Sequence, residues 1–160
     1  MSELQMKADI LAPEHTKVIK FSGDHPSKTF KFIPNLIKEV FKITSTNFYE
    51  DKIKWDKSDD PIGFYGEWRG VDKKDNRTTI WVKIKVQGNQ TEKEKKGEVT
   101  IWISGVIITK ITYSNVIDKS LFKAYSRFFY SNQRRYYIEE ARTRFKILEN
   151  EIKRELGIGE

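Results

Sequence analysis

Apolar residues fall at every second position in the run TTIWVKIKV: Ile80, Val82, Ile84 and Val86 alternate with Trp81, Lys83 and Lys85. A period of two places the two sets on opposite faces of an extended strand. The run therefore predicts a strand from about Arg77 to Val86, with one greasy face and one Trp/Lys face. The same period returns in EVTIWISGVIITKITY, residues 98–113. There Val99, Ile101, Ile103, Gly105, Ile107 and Ile111 share a side, Trp102, Ser104, Val106 and Ile108 share the other, and Gly105 is a candidate bulge or bend. In IGFYGEWRG, residues 62–70, Ile62, Phe64, Gly66, Trp68 and Gly70 oppose Tyr65, Glu67 and Arg69. Phe48–Trp55 and the run TKVIKF at 16–21 complete the strand signals. The polar runs SGDHPSK, DKSDDP, VDKKDN and QGNQTEKEKKG read as the connections.

Two segments switch to helical spacing. Proline suits the first turn of a helix and breaks its interior, so Pro34 predicts a short helix from Pro34 to about Ile43. Leu36, Ile37, Val40 and Phe41 form its buried side, and Phe30 and Phe32 are extended before it. From Asn115 to Leu156 there is neither Pro nor Gly, and Gly157 stands at a C-cap. Leu121, Phe122, Tyr125, Phe128 and Phe129 make one stripe; Ile138, Ala141, Phe145, Leu148, Ile152 and Leu156 make a second. The stripes lose phase at Ser131-Asn132, which predicts a kink or two helices. Glu140 with Arg144, and Glu149 with Lys153, are four-apart ion pairs on the expected exposed side. Residues 1–14 show little periodicity and read as a flexible N-terminal arm.

Consecutive strands without intervening helices pair as an antiparallel meander. The face carrying Ile80, Ile84 and Ile101 needs a cover, which the C-terminal helix supplies. The expectation is one α+β domain over residues 15–160: about five antiparallel strands packed on a long C-terminal helix.

That order of elements resembles the helix-grip fold of the START and Bet v 1-like (SRPBCC) lipid-transfer and polyketide-cyclase superfamily. In that superfamily a curved sheet wraps the final helix and leaves a cavity between them. The resemblance implies a site for an apolar small molecule or lipid. The chain departs from it in carrying one clear helix after the first strand instead of two. The runs EWRGVDKKDNRTTIWVKIKV and KGEVTIWISG also look like a group of uncharacterised archaeal proteins.

Composition narrows the chemistry. The chain has 160 residues and no Cys, which removes disulfides, thiolate catalysis and Cys-based zinc sites. His15 and His25 are the only histidines and lie in no metal or triad spacing. There is no Gly-rich phosphate loop and no HExxH motif, so no cofactor, metal or catalytic residue is expected, and an enzyme ranks behind binding functions. Asp59, Asp60, Asp72 and Asp75 lack the spacing of a calcium loop and read as turn residues. Glu67 reads as a surface ion-pair partner of Arg69. No apolar signal core or membrane-length run occurs, which predicts a cytoplasmic protein. Thirty Lys and Arg against twenty-three Asp and Glu give a net charge of +7, which favours anionic partners.

Three binding functions follow. The first is a non-enzymatic protein holding an apolar ligand between sheet and helix, lined by Phe64, Gly66, Trp68, Gly70, Phe128 and Phe129, with the glycines leaving room. The alternative is a nucleic-acid or ribonucleoprotein-associated module. It would use Trp81, Lys83, Lys85 and Trp102 on the outer sheet face, with Arg134 and Arg135 of the NQRRYY run and a basic patch at Arg142, Arg144 and Lys146. The third is a protein–protein contact through Trp81 and Trp102. The plainest expectation for Trp81 and Trp102 is a cross-strand pair that shields the sheet, or packing under another segment.

Overall fold

A computed structural model describes residues 2–113, 120 and 131–158 of the chain. The elements run β1 (Ser2–Asp9), β2 (Lys17–Asp24), a 3-10 turn (Pro26–Lys28), α1 (Thr29–Phe41), β3 (Phe48–Asp56), β4 (Ile62–Lys73), β5 (Thr78–Gln90), β6 (Lys96–Tyr113) and α2 (Ser131–Leu156). All strand pairings are antiparallel, in the order β1-β6-β5-β4-β3, and β2 also pairs with β6. The fold is α+β, an open six-stranded sheet with a C-terminal helix packed on it.

β1 and β2 lie end to end along one edge of β6. β1 pairs with Val106–Tyr113 and β2 with Lys96–Ile103. The chain bends between them at residues 10–16, where the Ile10 amide donates to the Gly105 carbonyl at 2.9 Å. The segment expected to be a loose arm is therefore a strand over Ser2–Asp9. Its partner lies about a hundred residues away along the chain, and its own residues show little alternation.

The alternation of β5 is met in full. Ile80, Val82, Ile84 and Val86 are all completely buried, with Ile101, Ile103 and Ile107 beside them on β6. Both helices cover this face. α1 starts five residues before Pro34, so Phe30 and Phe32 are helical rather than extended. The reason is burial. Thr29, Ile33, Leu36, Ile37 and Phe41 all face inward at helical spacing, and this outweighs the one backbone bond that Pro34 cannot donate. Lys42 ends the helix in the left-handed conformation, and the Ile43 amide returns to the Lys38 carbonyl at 2.9 Å.

α2 buries Ala141, Phe145, Leu148, Ile152 and Leu156 of the second stripe, but at its first position Tyr137 is buried and Ile138 only half-buried. Residues 121–130, with Leu121, Phe122, Tyr125, Phe128 and Phe129, lie outside the described residues, and with them the kink or second helix expected at Ser131-Asn132. Gly157, at φ 76°, and the Ile158 amide bonded to the Lys153 carbonyl close its end. Phe145 fits against Gly105 of β6 and lies 4.9 Å, edge to face, from Phe41 of α1. Gly105 thus marks a close helix–sheet approach.

Polar tethers fix α2 further. Tyr137 donates to Asp75 in the β4–β5 turn at 3.1 Å, and Arg142 donates to the Ile10 carbonyl at 2.8 Å. Arg144 bonds both Glu140 (3.1 Å) and the Val40 carbonyl of α1 (2.6 Å), and Lys74 reaches Glu140 at 3.3 Å. The Glu140–Arg144 pair forms as spaced, yet it sits half-buried between elements rather than on an open face. Burial raises Glu140, but hydrogen bonds from Arg144 and Lys74, with their charges, outweigh it and hold the carboxyl below its usual range. Burial lowers Lys74, and Asp72 and Glu140 more than reverse that.

Candidate functional site

The inner face is filled where room was expected. A methyl group added at Gly66 would lie 2.6 Å from the Trp68 ring and 2.7 Å from the Phe30 ring. One added at Gly70 would lie 2.7 Å from Ile43 and 3.0 Å from Ile37. Phe30 is the plug: its ring sits 4.8 Å from Trp55, 5.4 Å from Phe64 and 5.3 Å from Trp68. Trp68 is wholly buried, with its indole N–H directed to Glu50 at 3.4 Å. So Phe64, Gly66, Trp68 and Gly70 do come together, but around the chain's own side chains. The helix start that places Phe30 here is the signal that sequence periodicity missed. Phe128 and Phe129 lie outside the described residues.

The outer face is built by strand register. Successive cross-strand rows read Lys54–Tyr65–Gln87–Thr100–Lys20, then Lys52–Glu67–Lys85–Trp102–Val18, then Tyr49–Arg69–Lys83–Ser104. Trp81 opposes Val106 and Trp102 opposes Lys85, so the two tryptophans are four residues out of step and form no cross-strand pair. They have different surroundings. The Arg69 guanidinium lies 4.9 Å from the Trp81 ring and 4.6 Å from the Tyr49 ring, with Asp51 at 3.4 Å from its Nη2. This is a stacked cation between two aromatics. Tyr49 was not singled out from sequence, because only the β3–β4 register brings it opposite Arg69.

Trp102 instead borders an open depression of about 450 Å³, lined by Thr16, Tyr65, Lys83, Lys85, Gln87, Trp102 and Ser104. Lys85 is 3.7 Å from Glu67, so Glu67 pairs with Lys85 while Arg69 takes Asp51, not the Glu67–Arg69 pair expected. Burial raises the Tyr65 phenol, assisted by its hydrogen bond to Glu67 and that carboxylate's charge; it stays protonated. Lys83 is exposed and has no ion-pair partner among the described residues. Lys20, Lys52 and Lys54 are exposed on the same face, and Lys52 lies 5.6 Å from the Tyr65 ring. Cations outnumber acids here, with Glu67 the acidic member of the three rows.

The helical basic residues do not join this face as a patch. Arg142 and Arg144 are engaged in the tethers described above. Arg135 is exposed and Arg134 half-buried at the start of α2. Asp75 serves a turn, accepting from the Arg77 and Thr78 amides at 2.7 and 2.8 Å; Asp60 accepts from the Glu92 amide of another loop at 3.1 Å; Asp72, expected in a turn, lies within β4 and pairs with Lys74 at 2.9 Å. His15 bonds Asp9 at 2.6 Å. Among the described residues no cluster of His and carboxylates is arranged to hold a metal, and no helix is long and apolar enough to cross a membrane.

No protein-family model matches the chain, and no curated protein matches it. Among solved structures it is similar to a protein of unknown function from Staphylococcus aureus, at 10% identity over 95% of this chain and 97% of that one, with a TM-score of 0.30. A putative uncharacterized protein from Rhizobium leguminosarum is similar at 12% identity over 96% and 99%, with a TM-score of 0.26. Likenesses at this level carry no argument about function.

Proposed function

We propose that the outer sheet face is a binding platform for single-stranded nucleic acid. The observation that carries the reading is the depression where Trp102 and Tyr65 flank Lys83 and Lys85. An aromatic ring offers a stacking surface to any base, and lysines neutralise phosphates; together they suit a single strand. Lys20, Lys52 and Lys54 extend the positive field on either side, and the net charge of +7 favours the encounter. A cytoplasmic setting suits such a ligand. The helix-grip resemblance is kept as a proposal for the architecture, supported by the C-terminal helix laid across an antiparallel sheet. Its apolar cargo has less support, because Phe30, Ile37 and Ile43 take up the room the glycines leave.

The test is fluorescence anisotropy with labelled oligo-uridine and oligo-thymidine across a salt series. Binding should weaken steeply as salt rises from about 50 to about 200 mM. The double variant Lys83→Glu/Lys85→Glu should reduce the salt slope by about 1.4, the value for two lost phosphate contacts on a single strand. Salt-independent binding, or none to either polymer, overturns the reading.

A further inference from the structure

We infer that the depression over β5 holds one nucleotide unit, its base stacked on Trp102 and its phosphate between Lys83 and Lys85, while Trp81 serves only to seat Arg69. The inference rests on the platform reading and assigns its subsite. Sequence treats the two tryptophans as equivalent, since both alternate outward between lysines or small polar residues. The structure separates them. One face of Trp81 is already taken by the Arg69 guanidinium at 4.9 Å, and the Tyr49 ring lies 4.6 Å from the same cation. A base stacking on that face of Trp81 would have to expel a guanidinium held by two rings and by Asp51. Trp102 has no ring or cation partner among the described residues and stands at the rim of open space.

Size and polarity then choose the ligand. A room of about 450 Å³ lies in the range of sites for a single small molecule, roughly 300–1,000 Å³. Lys83 and Lys85 are two residues apart on one strand, about 7 Å along it, so two long, mobile ammonium groups can converge on one phosphate. Gln87 carries both an amide donor and a carbonyl acceptor, and Ser104 supplies a hydroxyl, which are the groups that can meet a base edge or a sugar. An aromatic, phosphorylated ligand fits this set better than a bare anion, which would leave Trp102 unused. The unit can come from a free nucleotide or from a strand.

The experiment titrates the whole protein with uridine monophosphate, with uridine, and with oligo-uridine. Binding is followed by the indole N–H resonances, assigned with single Trp→Phe variants. The monophosphate is expected to shift Trp102 and leave Trp81 in place, and uridine is expected to bind more weakly than the monophosphate. Trp102→Ala should weaken oligo-uridine by about five- to one-hundred-and-fifty-fold, the span for losing one base–aromatic stack, with most of the loss restored in Trp102→Phe. Circular dichroism and a cooperative unfolding transition establish that each variant is folded. Salt-sensitive oligo-uridine binding that is indifferent to Trp102→Ala, or that shifts Trp81 instead, overturns the inference and leaves the platform reading standing. A Trp102 shift with the monophosphate but no binding of oligo-uridine supports the subsite and overturns the strand. No response to any of the three overturns both.

Discussion

Replacing Gly105 by alanine tests the packing on which the placement of both helices depends. The new methyl group would stand inside the van der Waals envelope of the Phe145 ring, with Cε2 at only 2.6 Å. An ordinary carbon contact needs about 3.5–4.0 Å, and Cζ of the ring lies nearer still than Cε2, so the ring must retreat by well over ~1 Å. Phe145 cannot swing freely, because Phe41 of α1 packs 4.9 Å away on the same ring. Overpacking of this kind costs about 1–3 kcal/mol. Gly105 is not in a left-handed conformation, so alanine also gains about 0.4–1 kcal/mol by restricting the unfolded chain. The expected net loss is about 1–2 kcal/mol, measured as a lower urea midpoint at unchanged slope. Phe145→Leu alone should cost stability by opening space. The double variant should lose less than the sum of the singles, because the added methyl fills part of that space, with a coupling of about 1 kcal/mol. Strict additivity, or a Gly105→Ala protein more stable than wild type, would refute the claim that α2 rests on β6 through this pair.

Other consequences follow from the tethers and caps. Pro34→Ala should raise stability by about 1–3 kcal/mol, read from denaturant midpoints, since it restores an amide donor inside α1 and removes a poor helix former. Arg142→Ala should cost about 1 kcal/mol and speed hydrogen exchange at the Ile10 amide, because the Ile10 carbonyl loses its partner. Glu140 is held below its usual range, so its contribution is full above the ordinary carboxylate value and fades as pH falls through the lowered one. Glu140→Gln should therefore flatten the acid limb of a stability–pH profile, by less than about 1 kcal/mol for a carboxylate that keeps part of its surface in water. Lys74, held above its usual range, works in the opposite sense. Its contribution is full below the ordinary lysine value and is lost as pH climbs past the raised one, so Lys74→Met should flatten the alkaline limb.

What the sequence made legible is what local periodicity encodes. Ile80 to Val86 alternate because both faces of β5 have fixed neighbours, and the stripe from Ala141 to Leu156 follows because one helix face is buried. β1 escaped, since Ser2–Asp9 has little pattern of its own and is ordered by the far half of β6. The start of α1 escaped because Pro34 obeys a local rule that the burial of Thr29 and Ile33 overrides. That single displacement also moved Phe30 from a strand into the space beside Gly66. The outer face was half legible. Alternation sorted Trp81, Lys83, Lys85 and Trp102 onto one side, but only the register tells that Arg69 belongs to Trp81 and Tyr49, and that Trp102 belongs to the lysines. Arg142 and Arg144 looked like surface charge for want of knowing that backbone carbonyls of Ile10 and Val40 lie within their reach.

β6 has a further implication. Eighteen residues long, it is flanked on one side by β5 and on the other by two strands laid nose to tail. Sliding it by one notch would break three ladders at once, and by the rule of alternation would turn Ile101, Ile103 and Ile107 to the water. The frame of the whole sheet is thus locked from both flanks. Its amides away from the tips should be the last in the molecule to surrender their protons to deuterium, opening only when everything else opens.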